Sequence, residues 1–290
     1  MGPARTNHAW MLCLAMAVFA FSGCQSLHDQ FREPPPKQEQ VAPAPNEAVR
    51  SIHLPFGLPS NATADPGNED NLLIVGEGSV ISYNNARGTP NWVAWRTTRD
   101  DLGESIPRPD FRPDPRLPRW YKRIGPFDYS GTGYDRGHMV PSADRFADPR
   151  LNAETFLLTN IVPQSPSLNQ YPWNDLEQYV RAQVRKGSDA YQIAGVYGEA
   201  ERLKGKVAAP TNCWKVVVLL RRGTDPSSID ERARVIAVDM PNEDGLAHEK
   251  WMRFRTTVKA IEQRTGLDIF ASLPRDLQRV LETRTETVSR

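Results

Sequence analysis

The sequence of 290 residues predicts an α+β fold built around an antiparallel β-sheet. Short runs of aliphatic, β-branched and aromatic residues recur along the chain, whereas few segments have helical spacing. These runs also lack the strand–helix–strand alternation that is typical of a parallel sheet. The predicted strands span residues 72–75, 80–83, 92–96, 155–161, 191–197, 214–220 and 234–238.

Each run has a composition that favours a strand. The first three read Leu-Leu-Ile-Val, Val-Ile-Ser-Tyr and Trp-Val-Ala-Trp-Arg, and turn-forming residues separate them. A Pro-rich segment from about residue 100 to 118 is predicted to be an irregular loop. The four later runs are also rich in Val, Ile, Leu and aromatic residues.

The clearest helical pattern spans residues 172–186, where apolar residues recur at intervals of three and four. Pro172 suits the first turn of this helix, and Gly187 suits its end. Residues 249–265 are predicted to form a strand that leads into a helix ending at Gly266, and residues 274–282 a short final helix. The apolar positions of the first helix are Trp173, Leu176, Val180 and Val184.

The N-terminal residues have the pattern of an export signal rather than of a folded domain. Residues 1–23 combine a basic start with an apolar stretch that is short for a membrane span. The end of this stretch resembles a bacterial lipobox, which implies lipidation of Cys24 and, because Gln25 follows, an outer-membrane lipoprotein. The alternative is an ordinary cleaved signal and a free, exported protein. Residues 24–50 are polar and Pro-rich and predict a disordered linker before a domain that spans 51–290.

The net charge and the cysteine content say less about the function of the chain. The net charge of +1 argues neither for nor against a nucleic-acid partner, because an overall balance can hide a basic groove. Cys213 is the one cysteine beyond the leader and its processing site. We therefore expect no intramolecular disulfide, and stability that comes from packing.

The segment Tyr134-Asp135-Arg136-Gly137-His138 carries the strongest chemical signal in the chain. A histidine can take a proton from water near neutral pH. An arginine offers a planar fork that matches phosphate oxygens. This combination predicts hydrolysis of phosphodiesters, with His138 as the general base.

Asn169 and Glu177 supply oxygen ligands for a hard divalent cation. Mg²⁺ prefers oxygen ligands and keeps much of its water, so one amide oxygen and a nearby carboxylate are sufficient. Glu177 and Arg181 are four residues apart on the predicted helix and can point into one cleft.

Each of these residues also has a plain structural interpretation. An isolated histidine is more often a hydrogen-bonded core residue, and Asn169 could be a turn or cap residue. Glu177 and Arg181 could be a solvated helix pair. Arg108 lies in the Pro-rich loop and could be structural only.

The chain resembles the DNA/RNA non-specific endonucleases, and the resemblance covers nearly everything after residue 50. Its motifs occur in order and at similar spacing, which makes the match more specific than one tetrapeptide. They are Asn71–Ile74, Ser82–Asn84, Asn91–Trp95, Asp135–His138, Thr159–Gln164, Leu168–Gln170, Trp173, Leu176–Glu177, Trp214–Val216, Ile261–Glu262 and Arg264–Leu267.

The resemblance implies a ββα-metal, or His-Me finger, architecture in which a short hairpin carries His138 and the following helix carries the metal residues. It also implies Mg²⁺ as cofactor, with Mn²⁺ as a possible substitute, DNA and RNA as substrates, and a possible homodimer. Asn169 would be the direct metal ligand, and Glu177 would hold a metal-bound water. The remaining implied site residues are the phosphate-contacting Arg136, Arg181 and Arg108, and two residues near the site, Asp135 and Asn160.

A competing hypothesis is a degenerate, nuclease-like domain that binds at a surface without catalysis. Such a domain is expected to have lost its general base or its metal ligand. The joint presence of His138, Asn169 and Glu177 favours the enzyme. The sequence does not distinguish a nuclease from an enzyme of this fold that acts on another phosphodiester.

Overall fold

The computed structural model describes residues 51–285, and its central feature is a seven-stranded antiparallel sheet. The strand order is β1-β2-β3-β6-β9-β10-β11. These strands are β1 (Leu72–Val75), β2 (Val80–Asn84), β3 (Thr89–Thr97), β6 (Ser188–Tyr197), β9 (Asn212–Arg221), β10 (Arg234–Pro241) and β11 (Arg255–Thr256). The predicted α+β class and the antiparallel sheet are confirmed.

Alternating side chains of the sheet pack into two separate cores. On β9, Cys213, Val217 and Leu219 enter one core, whereas Trp214 and Val218 enter the other. β6 and β9 pair along all ten of their residues and are buried on both faces. Such strands have no solvent face, and their near-continuous apolar sequences follow from that position.

The five α-helices of the described chain cover the sheet. They are α1 (Pro149–Glu154), α2 (Pro166–Leu168), α3 (Asn174–Arg185), α4 (Val258–Thr265) and α5 (Arg275–Thr283). Helix α3 packs its predicted apolar stripe into the core that contains Cys213. Helices α4 and α5 pack into the core that contains Trp214, so the two groups lie on opposite faces of the sheet.

Two small sheets lie in excursions from the large one. The chain leaves it after β3 and forms β4 (Asp135–His138) and β5 (Ile161–Gln164), which pair antiparallel, before it returns at β6. After β6 it forms the hairpin of β7 (Glu201–Leu203) and β8 (Val207–Ala209). Every predicted site residue from Arg108 to Arg181 belongs to the first excursion.

One strand prediction is wrong in position. Residues 155–161 were expected to form a strand, but Leu158–Asn160 is a 3-10 turn and the strand is Ile161–Gln164. The apolar run extends through both, so its composition does not locate the boundary. The expected short hairpin is also different, because residues 139–160, which include α1, separate β4 from β5.

Two helix boundaries also differ from the prediction. The predicted helix 172–186 begins earlier, at Pro166, and Pro172 lies inside a π-helical turn, Asn169–Trp173, that joins α2 to α3. In the segment 249–265, the expected strand is reduced to Arg255–Thr256. Gly266 ends α4 as predicted, with a φ of 74° that an L-residue rarely adopts.

The predicted signal peptide, the lipidated Cys24 and the linker 24–50 lie outside the described residues. Within residues 51–285, no helix is both long and apolar enough to cross a membrane.

Candidate active site on β4, β5 and the helix that follows

His138 stands at the end of β4, opposite Ile161 of β5. The preceding Gly137 is paired with Val162, and a β-carbon at Gly137 would overlap the buried side chain of Gln164. The glycine of the motif is therefore required because the strand passes close to a buried amide. This close packing fixes the backbone that carries His138.

Two phenylalanine rings enclose the His138 imidazole. The centroid of Phe156 lies 5.0 Å from that of His138, edge to face, and the centroid of Phe111 lies at 5.4 Å. Burial and, secondarily, the positive charge of Arg108 lower the pKa of His138 to about 4. The imidazole is thus neutral at physiological pH, which is the form that accepts a proton.

The two nitrogens of His138 differ in accessibility. Nε2 is buried and has no hydrogen-bond partner among the described residues. Nδ1 is not among the buried atoms, and it is the nitrogen that a water in the cleft can reach.

Arg136 lies on the same strand and points its guanidinium toward the loop before β4. One terminal nitrogen donates to the carbonyl of Pro126 (2.8 Å) and to the hydroxyl of Ser130 (3.0 Å). The guanidinium also lies 5.4 Å from the ring centroid of Phe111. None of the described carboxylates forms an ion pair with it, so its charge remains available to an anion.

The Pro-rich loop is attached to the site by its backbone. The Arg112 amide donates to the carbonyl of Phe156 (3.2 Å), and the Arg112 carbonyl accepts from Leu158 (3.0 Å). These bonds place Phe111 against His138. The exposed Arg108 belongs to the same loop, and its charge acts on His138. The loop therefore lies against His138, and a phosphate contact by Arg108 stays a prediction.

Asn169 is attached to β4 through Asp135. The Asn169 amide nitrogen Nδ2 donates to Asp135 Oδ2 (2.9 Å), and the Gln170 amide donates to the same oxygen (2.9 Å). Because the nitrogen faces the carboxylate, the amide oxygen Oδ1 is turned away from it. This bond attaches the helix of Asn169 to the strand that carries His138.

The π-helical turn explains how Asn169 and Pro172 coexist. A proline removes a backbone N–H and its ring clashes with the carbonyl four residues earlier in an α-helix. A wider π turn avoids that contact, and such turns are frequent at functional sites. Ser165 caps the helix through a hydrogen bond from Leu168 N to its hydroxyl (3.1 Å). Asn169 is consequently a helical residue rather than a turn residue.

Glu177 lies farther along this helix, between two cations. Its Oε2 is 3.8 Å from Arg181 and its Oε1 is 3.8 Å from Lys215 Nζ, so neither contact is short. Burial raises the pKa of Glu177, and the charges of Lys215 and Arg181 oppose that rise. The carboxylate retains some exposure, and its oxygens remain open to a further ligand.

Lys215 is fully buried under Glu177, where its ammonium has no hydrogen-bond partner among the described residues. It lies 4.3 Å from the ring centroid of Trp173 and 5.3 Å from that of Trp95. Burial lowers the pKa of Lys215, and the nearby Glu177 opposes that change.

Arg181 is fixed from below by Asp144. The guanidinium lies 3.1 Å from Asp144 Oδ1, while Oδ2 accepts hydrogen bonds from Trp95, Thr97 and Gln192. Burial alone would raise the pKa of Asp144, but Arg181 and the bond from Trp95 outweigh it and lower the pKa. Arg181 is 8% exposed, so it braces Glu177 more than it offers a phosphate contact.

Asn160 lies beneath the site, not on its surface. Its side chain is 2% exposed, accepts from Val140 N, and donates to the carbonyls of Val140 and Thr155. The side-chain amide that the resemblance places near the site, and to which it assigns a substrate contact, is bonded to backbone groups in this structure. The residue fixes the chain that follows β4.

The donor set fits a hard divalent cation. Asn169 offers a neutral amide oxygen, and Glu177 offers a partly exposed carboxylate on the same helix. Oxygen donors of this kind, together with waters, suit Mg²⁺ or Mn²⁺. A separate acidic cluster of Glu262, Asp268 and Glu282 belongs to the opposite face of the sheet, and Lys259 already contacts two of its carboxylates.

Sequence reasoning did not identify the buried supports of the site: Phe111, Phe156, Asp144 and Lys215. Lys215 falls within the Trp214–Val216 motif of the resemblance but was given no role, and no local pattern marks the other three as functional. A basic residue within the strongly apolar run 214–220 was the one available signal, because lysine is rarely buried without a charged partner.

Comparisons with known proteins show the family of the chain. The family model described as DNA/RNA non-specific endonuclease matches residues 58–276. A nuclease of Nostoc sp. is 41% identical over 254 residues, which cover 87% of this chain and 92% of that protein. A nuclease of Serratia marcescens is 30% identical over 229 residues, which cover 75% and 82%, respectively.

A solved structure shares the fold. A chain in the crystal structure of the EndoG/EndoGI complex, which concerns the inhibition of EndoG, matches with a TM-score of 0.64 at 25% identity. The match covers 78% of this chain and 92% of the other. The predicted ββα-metal architecture is thereby confirmed.

Proposed function

This chain belongs to the DNA/RNA non-specific endonuclease family, and from that membership we propose that it is a Mg²⁺-dependent endonuclease that hydrolyses phosphodiester bonds in both DNA and RNA. Membership makes the chain a nuclease. The metal, the two substrates and the roles of individual residues belong to the proposal.

The observation that carries the proposal is the hydrogen bond between Asp135 and Asn169 (2.9 Å). It joins the strand of the neutral His138 to the helix that carries both oxygen ligands. In the proposal a base, a cation site and arginines act together on one phosphate, as phosphodiester hydrolysis requires.

His138 acts as the general base in this proposal. Its accessible Nδ1 removes a proton from the attacking water, and the neighbouring Arg108 disfavours the protonated ring before the reaction. Arg136 and Arg108 bind the non-bridging oxygens of the scissile phosphate.

Asn169 would hold the cation directly, and Glu177 would hold it through a water. The bound cation supplies charge neutralisation at the phosphoryl oxygens and at the departing oxygen. Arg181 and Lys215 keep the Glu177 carboxylate in place. The bond to Asp135 occupies the Asn169 amide nitrogen and leaves its oxygen for the cation.

Nicking of a supercoiled plasmid and degradation of a structured RNA test the proposal. We expect both reactions with Mg²⁺ or Mn²⁺, neither with EDTA, and a loss of about 10³-fold in His138→Ala. His248→Ala is the matched control, because His248 is an exposed histidine outside every motif. A folded wild-type protein that cuts neither substrate would instead support the non-catalytic binding module.

We also propose that the protein is exported and lipidated at Cys24. Support comes from the apolar leader and the lipobox-like sequence before this cysteine. Fractionation should place the wild type with membranes and Cys24→Ser in the soluble exported fraction. An unmodified Cys24 in the mass spectrum of the mature N-terminal peptide would exclude the anchor.

A further inference from the structure

Phe127 is the most exposed large hydrophobic residue in the described part of the chain, at 84%. It lies in the 3-10 turn Pro126–Asp128, whose other side chains are at least partly buried. The turn is fixed internally, because the Asp128 carboxylate accepts from Gly125 N (2.8 Å). The ring is therefore presented outward by an ordered turn.

This turn adjoins the candidate active site. Arg136 donates to the carbonyl of Pro126 and to the hydroxyl of Ser130, on either side of Phe127. The turn that carries the exposed ring is therefore held by a guanidinium that the proposed function assigns to the scissile phosphate.

A strained lysine approaches from the other side. Lys204 Nζ donates to the carbonyl of Phe127. Lys204 has a φ of 45° and is the one non-glycine residue between 51 and 285 with positive φ. It occupies the turn of the β7–β8 hairpin, which is closed by a hydrogen bond from Lys206 N to Leu203 O (2.8 Å). Glycine or asparagine would adopt this conformation more easily, and backbone strain of this kind is common at functional sites.

The charges around the ring favour a polyanion. Within residues 51–285, neither Arg136 nor Lys204 pairs with a carboxylate, whereas the nearby Lys206 is paired with Asp128 (3.1 Å). Two cations without acidic partners thus contact the turn that carries the exposed aromatic ring. Single-stranded nucleic acids are bound by this combination, because phosphates meet the cations and an unpaired base stacks on the ring.

We propose that Phe127, between Arg136 and Lys204, forms a stacking subsite for an unpaired base of the strand that enters the active site. This inference rests on the proposed nuclease function and extends it to the form of the substrate. A base within a duplex is already stacked on its neighbours, so the subsite serves single-stranded segments.

Fluorescence anisotropy of a labelled 12-nucleotide single strand, and of the matching duplex, tests the subsite. The full chain is used with His138→Ala and EDTA, so that no probe is cut. Phe127→Leu keeps an apolar side chain and removes the aromatic face, and Phe127→Trp restores one. We expect Phe127→Leu to weaken single-strand binding by on the order of tenfold, Phe127→Trp to bind as the parent does, and duplex binding to change little.

Lys204→Asn is the companion variant. Asparagine tolerates the left-handed conformation, so the substitution removes the charge while the turn is preserved. We expect weaker binding of both probes and a shallower dependence of affinity on salt, because fewer counterions are released.

Two results would overturn the subsite. Equal single-strand affinities of Phe127→Leu and its parent would do so, as would equal losses on single strand and duplex. If the enzyme with His138 intact still cleaves nucleic acid in either case, the proposed function stands and only the subsite fails. A wild type that neither binds nor cleaves any nucleic acid would refute both.

Discussion

At the scale of single residues, the environment of His138 determines a proton equilibrium that can be measured directly. Burial between Phe111 and Phe156, with Arg108 nearby, lowers its pKa to about 4. NMR titration of the metal-free protein should therefore show the His138 ring neutral down to about pH 4. The signal that is absent from His138→Ala identifies the residue, and a midpoint near the ordinary value of 6.5 would contradict the prediction.

The same shift has a consequence for stability. Between pH 6.5 and 4, the unfolded chain binds a proton at His138 and the folded chain does not, so acid favours unfolding in this window. The contribution is fully present above pH 6.5 and is lost as the pH falls through about 4. As the pH falls from 6.5 to 4, the free energy of unfolding, measured in urea, should therefore decrease less in His138→Phe than in the wild type.

Lys215 gives a second prediction at this scale. Lys215→Met removes a buried cation beside Glu177 and leaves that carboxyl easier to protonate. We expect the free energy of unfolding to fall, but by less than the about 3–5 kcal/mol that follows when a buried charge loses its sole partner, because Arg181 still lies 3.8 Å from Glu177. The Mg²⁺ concentration for half-maximal activity should rise by on the order of tenfold.

The double variant Lys215→Met with Glu177→Gln separates the two effects. It should recover much of the lost stability, because no buried charge is left without a partner, but none of the activity. An unchanged Mg²⁺ requirement in Lys215→Met alone would show that Lys215 does not act on Glu177.

The residues that the sequence revealed are those with a local or family pattern. His138 follows Asp-Arg-Gly, and Asn169, Glu177 and Arg181 are spaced along one helix. Asp144 and Lys215 act on that helix from the connection after β4 and from β9, respectively. Their contacts exist only after long-range packing, and no spacing in the sequence predicts them.

At the scale of elements, the π-helical turn Asn169–Trp173 sets the position of Asn169 relative to Glu177. Pro172→Ala restores a backbone N–H and removes the ring, so it allows the turn to tighten toward α-helical geometry. We expect thermal stability to be equal or higher, whereas the Mg²⁺ concentration for half-maximal activity rises severalfold.

Pro166→Ala is the control for this prediction. Pro166 is the first residue of α2 and lies outside the π turn, so its substitution should leave the Mg²⁺ requirement unchanged. Equal Mg²⁺ requirements in Pro172→Ala and the wild type would show that the wide turn does not position Asn169.

Strand prediction succeeded where the whole apolar run forms a strand. It failed where the run is divided between a turn and a strand. The runs 191–197 and 214–220 are buried on both faces and became central strands. The run 155–161 is equally apolar, but the Asn160 amide binds backbone groups on both sides and enforces a turn before β5. Apolar composition indicates that a segment is buried. It does not indicate where a side-chain amide, rather than a neighbouring strand, forms the hydrogen bonds to the backbone.

At the scale of the whole molecule, stability depends on packing, because residues 51–285 contain a single cysteine. Cys213 is fully buried in β9, and burial raises its pKa to about 12. We expect the thermal midpoint to be the same with and without a reducing agent.

Alkylation with iodoacetamide, mapped by peptide mass, tests the same point. Cys213 should remain unmodified in the folded protein and react once the chain is unfolded in urea. Rapid modification under native conditions would show that β9 opens locally.

The order of strands in the sheet could not be predicted from the composition of the individual runs. β3 pairs with β6 and β6 with β9, so the site and the β7–β8 hairpin are excursions from a continuous sheet. The polar sequence of β4 gave no strand signal, and the composition of β5 did not show that the two strands form a separate pair. The family resemblance supplied that information, and periodicity did not.

The bonds of Asp144 bear on when the enzyme can become active during its synthesis. This one carboxylate accepts from Trp95 and Thr97 of β3, Gln192 of β6 and Arg181 of α3. The brace beneath Glu177 is incomplete until β6 has emerged from the ribosome and joined the sheet. A nascent or translocating chain that stops short of β6 carries every predicted catalytic residue and should still be inert. We expect the topology of the sheet to keep such an incomplete chain inactive in the cell that makes it.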